Sequence, residues 1–240
     1  LLTSVMGAGD KVGLYIEECR RAGMKVLPPD INASGAGFTV DGQAIRFGLA
    51  GVKNAGANAI ASIMGMRQEG GRYNSLTDFC GRVDMRVVNK RVIESLIKCG
   101  AFDSLEKKRS QLLHVLDQAV DSGARQQKDA ASGQMGLFGD DLATDAIMVY
   151  PDIPELPQEQ ILAMEKEIIG FYVTGHPLDR FRETMAVLTP VDCLSGENAV
   201  DGQLVRVGGL ITSAKRLTTK SGDMMCFISL EDFTGQVEVV

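Results

Sequence analysis

Apolar residues recur at three- and four-residue spacing through much of the first 170 positions, the signature of helices with one buried face. Val12, Tyr15, Ile16 and Cys19 mark an amphipathic helix over 9–23, stopped by Gly23. Met24 to Leu27 reads as a short strand closed by Pro28-Pro29-Asp30. Phe38-Thr39-Val40, Asp41-Gly42 and Gln43 to Phe47 form a hairpin, an Asp-Gly turn between β-prone runs. A helix over 54–67 carries Ala59, Ile60, Ile63 and Met64 on one side and is broken by Gly70-Gly71. Ser75-Leu76-Thr77-Asp78 resembles a capping box and opens a short helix through Val83. Asn89 caps a further helix whose inner face is Val92, Ile93, Leu96 and Ile97. Cys99 to Asp103 turns the chain into a helix over 105–120, with Leu112, Leu113, Val115 and Leu116 inward.

The pattern lapses over 122–158, which is polar, small-residued and acidic, with Pro151, Pro154 and Pro157 near its end. Such a stretch reads as a flexible linker. Helical spacing returns over 159–171, within a connector extending to about 195. From 200 onward the character changes to short alternating runs, at 204–207 with 209–212, at 225–230 and at 236–240. Three strands with turn signals predict the opening of a small antiparallel barrel. The fold class is thus multidomain α+β, mainly helical, with an incomplete β-barrel at its end.

Composition fits a globular chain, 45% hydrophobic and 23% charged, and no apolar run reaches the roughly 18 residues of a membrane helix. The first residues are Leu1-Leu2 without Met, and Gly235 to Val240 is a strand-like run, so the sequence reads as a piece of a longer protein. Cysteines at 19, 80, 99, 193 and 226 are odd in number and widely spaced, which fits buried thiols in a reducing cytoplasm. The net charge of −6 conceals segregation. Between Arg86 and Arg109 lie seven basic and three acidic residues; between Phe138 and Gly170 lie eight acidic residues and one lysine. A local basic face followed by an acidic connector is expected.

Three stretches have the residue types for holding nucleic acid. Leu49 to Gly56 leads into a helix starting near Asn54, whose free N–H groups and positive dipole end suit a phosphate oxygen. This resembles the hairpin of a helix-hairpin-helix element, with Lys53 where a second glycine is usual; plain packing is the alternative. Asn89 to Leu116 gives a fuller reading, with two helices flanking a turn at Gly100 and Lys90, Arg91, Lys98, Lys107, Lys108 and Arg109 around it. A solvated helix end is the alternative there. The last strands resemble the start of an oligonucleotide-binding (OB) barrel, where Arg206, Lys215, Arg216, Lys220 and Phe227 have the chemistry for single-strand contacts. No paired metal-binding aspartates in a β context, phosphate-binding Walker loop or catalytic triad is evident, and His176 reads as structural.

One pentapeptide is conspicuous, Gln134-Met135-Gly136-Leu137-Phe138, which places two large apolar side chains inside the polar linker. It reads either as an anchor that folds back on its own domain or as a docking peptide ordered by a partner groove. Gln-x-x-Leu-Phe resembles the peptide by which bacterial DNA polymerases and repair factors hold the sliding clamp.

Longer stretches carry a wider resemblance. Glu17 to Arg21 with Val26 to Asn32, Ile45 to Leu49 with Val52-Lys53-Asn54, and Asn89-Lys90-Arg91 with Glu94 to Ile97 all resemble the bacterial replicative DNA polymerase III alpha family. So do Gly100 to Asp103, Glu165 to Glu167, Gly170 to Tyr172 and Gly175 to Leu178. The resemblance covers essentially the whole chain. It implies that 1–40 ends a fingers domain, 41–121 is a tandem helix-hairpin-helix and clamp-binding domain, 122–158 is a linker bearing the clamp peptide, and 200–240 begins the OB fold. The palm with its metal-binding aspartates would lie upstream. The parent is then a Mg2+-dependent DNA-directed DNA polymerase, with no cofactor held here, and this stretch alone is not expected to extend a primer. Its implied partners are primer-template DNA, the sliding clamp (beta subunit) and other replicase subunits, with no membrane. Gln134, Met135, Leu137 and Phe138 would engage the clamp. Two further readings fit the motifs without the family, a non-catalytic DNA-binding scaffold with a clamp tether and an RNA-handling protein.

Overall fold

The computed structural model describes Thr3 and residues 9–131, 148–189, 191–193, 200–219 and 222–240. Two compact units divide the chain, Leu1–Thr174 and Gly175–Val240.

The first unit begins with helix α1 (Gly9–Arg21), which buries Val12, Ile16 and Cys19. Gly23 turns it at φ +76 into strand β1 (Lys25–Leu27). Strands β2 (Thr39–Asp41) and β3 (Ala44–Arg46) form the expected Asp41-Gly42 hairpin. β1 then pairs in parallel with β3, Val26 opposite Ile45, so β3 is the middle strand. The helices follow: α2 (Ala57–Gly70), α3 (Leu76–Arg82), α4 (Lys90–Lys98), α5 (Arg109–Ala131) and α6 (Gln158–Ile169). One core runs through all of them and includes two edge-on aromatic series, Phe38 with Phe47 and Tyr73 with Phe79 and Phe102.

The caps lie where the sequence places them. The Ser75 hydroxyl accepts from the Asp78 amide at 3.0 Å, and the Asn89 side-chain carbonyl from that of Val92 at 3.1 Å. The linker is different. α5 runs to Ala131 instead of ending at Val120, and the residues after Asp121 dock on α3. The Gln127 amide donates to the carbonyls of Cys80 (3.0 Å) and Val83 (2.6 Å), which the end of α3 leaves without helical partners. A Cβ on Gly123 would lie 2.5 Å from the Cys80 carbonyl oxygen, so the two helices cross almost backbone to backbone. Gly123 therefore serves close packing where the sequence reads as flexible linker.

The second half of the expected linker is also held down. Met148 is buried, and the strap 148–157 lies along the start of α5. The Ser110 hydroxyl donates to Pro154 O (2.8 Å), the Gln111 amide to Pro151 O (2.8 Å) and the Lys108 ammonium to Ile153 O (2.9 Å). Glu155 caps α5 from outside, accepting from the amides of Arg109 (2.8 Å) and Ser110 (3.0 Å). Desolvation pushes the Glu155 carboxyl up, and the amides of Ser110, Leu156 and Arg109 outweigh it and bring it below its ordinary value. The pentapeptide 134–138 lies outside the described residues.

The expected boundaries shift accordingly. A division at 40/41 would cut β2, one at 121/122 would cut α5, and the 159–195 connector is split after Thr174.

The second unit contains α7 (Arg182–Leu188) and the meander β4 (Leu210–Thr218), β5 (Met224–Glu231) and β6 (Gln236–Val239). β4 is one nine-residue strand and absorbs the polar run Lys215 to Thr218. The run 204–207 is not a strand. Alternation predicted poorly here because nearly every β4 residue is exposed, which leaves no apolar face to create a period of two.

All five cysteines are free thiols. Burial pushes Cys80 and Cys99 up to about 12. At pH 8 that leaves roughly one thiolate in ten thousand at each. Iodoacetamide is therefore expected to label half-buried Cys226 in the native protein and to reach Cys80 and Cys99 only on unfolding, as read by peptide mass spectrometry. Native labelling of Cys80 as fast as Cys226 would contradict this packing.

Candidate nucleic-acid interface

The interface is built around the turn that feeds α2. Phe47 leads into a 3-10 turn, Leu49–Gly51, where a Cβ on Gly51 would lie 2.4 Å from the Phe47 ring. Glycine is thus required by the ring beneath the turn. Lys53 comes next with its side chain exposed and its amide donating to Ile168 O of α6 at 3.1 Å. Asn54 adopts φ +71, a left-handed conformation that asparagine tolerates better than most residues. Its side-chain amide donates to Ser95 Oγ of α4 at 2.9 Å. Gly56 is the N-cap of α2 and supplies no side-chain acceptor. The first amides of α2 therefore carry the helix's positive end without a side-chain cap.

α4 begins beside this turn. A groove of about 340 Å³ is lined by Asn54, Gly56, Ala57, Asn58 and Ala59 on one side and by Val87, Asn89 and Val92 on the other. The N-termini of α2 and α4 thus share one concavity. Lys90 and Arg91 are the first two residues of α4, and both are exposed. Lys90 pairs with Asp117, whose hydrogen bond holds the ammonium pKa above its ordinary value. The loop into α4 adds Arg86, paired with Asp84 at 2.8 Å; the Arg86 hydrogen bonds bring the Asp84 carboxyl down to about 2.

The second expected hairpin is not where the basic cluster placed it. The 99–103 turn is enclosed, with Cys99, Ala101 and Phe102 fully buried. Gly100 takes φ +82, and a Cβ there would lie 2.3 Å from the Arg109 guanidinium. Ile31 donates its amide to Ala101 O at 2.9 Å, so another loop covers the turn. Gly100 is therefore removed from the DNA-facing residues. Arg109 is removed with it, because its side chain is 5% exposed and fully engaged. It donates to Asp103 (2.8 Å), to Glu165 (3.0 Å) and to Lys98 O (3.1 Å). Burial would lower the Arg109 pKa, and Asp103 and Glu165 outweigh burial and raise it. The remaining basic residues at this end are also partnered. Lys98 pairs with Glu94 at 2.9 Å, Lys107 lies 5.2 Å from the Tyr150 ring centre, and Lys108 holds the strap.

The expected set thus divides along α4. Asn54 lines the groove, and Lys53, Lys90 and Arg91 adjoin its lining residues in the chain, while Lys98 lies about 12 Å from Lys90, eight residues along the helix axis. The second turn at the groove is the α3–α4 loop, residues 83–89. Sequence reading used Asn89 as a cap and missed its place on the groove wall. The Asp-x-Arg step of that loop, Asp84 to Arg86, was the available signal.

In the second unit, Lys215 stands opposite Phe227 in register, side by side on one face of the sheet. Arg216 pairs with Cys226 and projects from the other face, so Lys215 and Arg216 cannot serve one strand surface together. Arg206 is exposed outside the strands, and Lys220 lies outside the described residues. His176 accepts from the Leu178 amide at 3.2 Å and stacks 4.8 Å from Phe233, a structural arrangement. Among the described residues no group of three or more His, Cys, Asp or Glu side chains is placed to hold a metal ion. No described helix is long and apolar enough to cross a membrane.

Residues 23–112 match a family model described as a helix-hairpin-helix motif, a span that contains both turns at the groove. The whole chain aligns with proteins named DNA polymerase III subunit alpha. It is 41% identical to that of Mycobacterium tuberculosis (strain CDC 1551 / Oshkosh), 37% to that of Bacillus subtilis (strain 168) and 35% to that of Vibrio cholerae. Each alignment covers 100% of this chain and 21% of the relative, so the chain spans about a fifth of their length. With the same segment matched from end to end in all three, the chain belongs to the DNA polymerase III alpha family as a stretch of about one fifth of it.

Proposed function

We propose that this chain is the segment of a replicative DNA-directed DNA polymerase that holds the primer-template duplex through its phosphates and tethers the enzyme to the sliding clamp. The observation that carries the first part is the convergence of two helix N-termini, with Lys53 and Arg91 exposed beside them, on one groove. The amides of α2, which have no side-chain cap, and the nearby cations suit phosphate oxygens and carry no base information, so any sequence can pass. The tether is carried by Gln134, Met135, Leu137 and Phe138. In this reading nucleotide addition, and the Mg2+ it requires, are assigned to the rest of the parent polymerase. Lys215 and Phe227 remain a candidate contact pair for single-stranded template.

The test is duplex binding by fluorescence anisotropy across a salt series. Two unrelated duplexes should bind alike. Lys53→Ala with Arg91→Ala should lower the slope of log affinity against log salt by about 2, each lost phosphate contact removing about 0.9. Lys98→Ala, at the far end of α4, should leave the slope unchanged. An unchanged slope in the double variant would sink the groove as the duplex site.

A further inference from the structure

We infer that Asn54 and Ser95 form a positioning pair that sets the spacing of the groove walls, Asn54 acting through Ser95 and not as a phosphate contact. The inference rests on the proposed duplex site. Asn54 is exposed and lies next to Lys53, which invites reading it as a ligand residue. Its side-chain amide nevertheless points inward, to Ser95 Oγ at 2.9 Å. Ser95 is 2% exposed, so no duplex reaches it. The same hydroxyl donates to Arg91 O at 2.9 Å. One buried oxygen thus joins the turn that leads into α2 to the first turn of α4, the two sides of the groove.

Two other features show that the turn is held. The Lys53 amide donates to Ile168 O, so α6 fixes the turn from its other side. Asn54 sits at φ +71, a left-handed conformation that persists where surrounding contacts fix it. A turn fixed on both sides before the ligand arrives does not have to be ordered on binding.

The pair makes a separable prediction. Asn54→Gly keeps the left-handed backbone without strain and loses only the amide; Ser95→Ala loses the acceptor from a position the duplex cannot touch. Each should weaken duplex binding about five-fold, the worth of one hydrogen bond, with the salt slope unchanged. The double variant should also be about five-fold weaker, because the two share one interaction, instead of about 25-fold. Lys53→Ala, in contrast, should lower the slope by about 1. Thermal midpoints measured alongside separate folding from positioning. An unaltered affinity in Ser95→Ala, whatever its midpoint, would overturn the pair. A slope reduced by Asn54→Gly as by Lys53→Ala would make Asn54 a direct contact and also overturn it, as would multiplicative losses in the double variant. A wild-type chain with no duplex affinity would overturn the pair together with the site.

Discussion

Arg109→Met is expected to destabilise the first unit by about 3–5 kcal/mol, the usual result of stranding one member of a buried ion pair. The Glu165 side chain is 0% exposed. Its Oε1 accepts from Arg109 and from the Thr174 hydroxyl (2.9 Å), and its Oε2 from the amides of Val173 (3.1 Å) and Thr174 (3.0 Å). Methionine fills much of the arginine volume, so the cavity term is small and the electrostatic loss dominates. Three hydrogen bonds remain, but the fully buried carboxylate loses the cation paired with it. Asp103, nearly half exposed, loses the same partner at little cost because water replaces it. For a unit of this size the midpoint should fall by on the order of 10 °C, measured by calorimetry. Adding Glu165→Gln should recover part of the loss, since the amide needs no counter-charge. The salt slope of duplex binding should not change in either variant. A loss below about 1 kcal/mol would show that water enters the site and screens Glu165.

Leu137→Ala with Phe138→Ala is expected to weaken binding to a purified sliding clamp by roughly three decades while leaving duplex affinity intact. Two apolar side chains of this size contribute about 4 kcal/mol when buried in a partner pocket, and 1.4 kcal/mol is one decade. Gln134→Ala should cost less, about one decade or below, the worth of one polar contact at a pocket rim. Surface plasmon resonance on immobilised clamp reads both. Clamp binding unaffected by the double substitution would place the contact elsewhere on the chain. A lower thermal midpoint with unchanged clamp binding would return the peptide to the self-anchor reading.

Much of the helical half was legible because its signals are local. Asn89 with Val92, Ile93, Leu96 and Ile97 specifies α4 by cap and period alone, and Asp41-Gly42 specifies the hairpin. What was illegible depends on distant partners. The far end of α5 has Ser122 and Gly123 where a helix former would be expected, and only the carbonyls at the end of α3 explain the continuation. β1 pairs with β3 across a connection that leaves no periodic trace. The basic cluster misled because charge does not announce burial; Arg109 shares its run with Lys107 and Lys108 yet is folded under the turn it was expected to decorate. The groove itself was half-legible. Its Lys53 wall is legible from a glycine-bearing turn before a helix, while its Asn89 wall reads as a helix cap leading to a hairpin turn at Gly100, with no sign that it faces the first turn.

The length of α5 has a mechanical consequence. Eleven residues, Asp121 to Ala131, extend the helix past the expected stop, and at about 1.5 Å each they form a rigid boom of roughly 16 Å braced against α3. Phe138 is seven residues beyond the boom's tip, so covalent geometry limits it to about 25 Å from that point. The far side of the stretch is moored again at Met148. A ring held by that peptide, as proposed above, would be kept within a short radius of the body that bears the groove, and each release would be followed by recapture at a high local concentration. Shortening the boom would change where the ring can ride without altering a single contact to it.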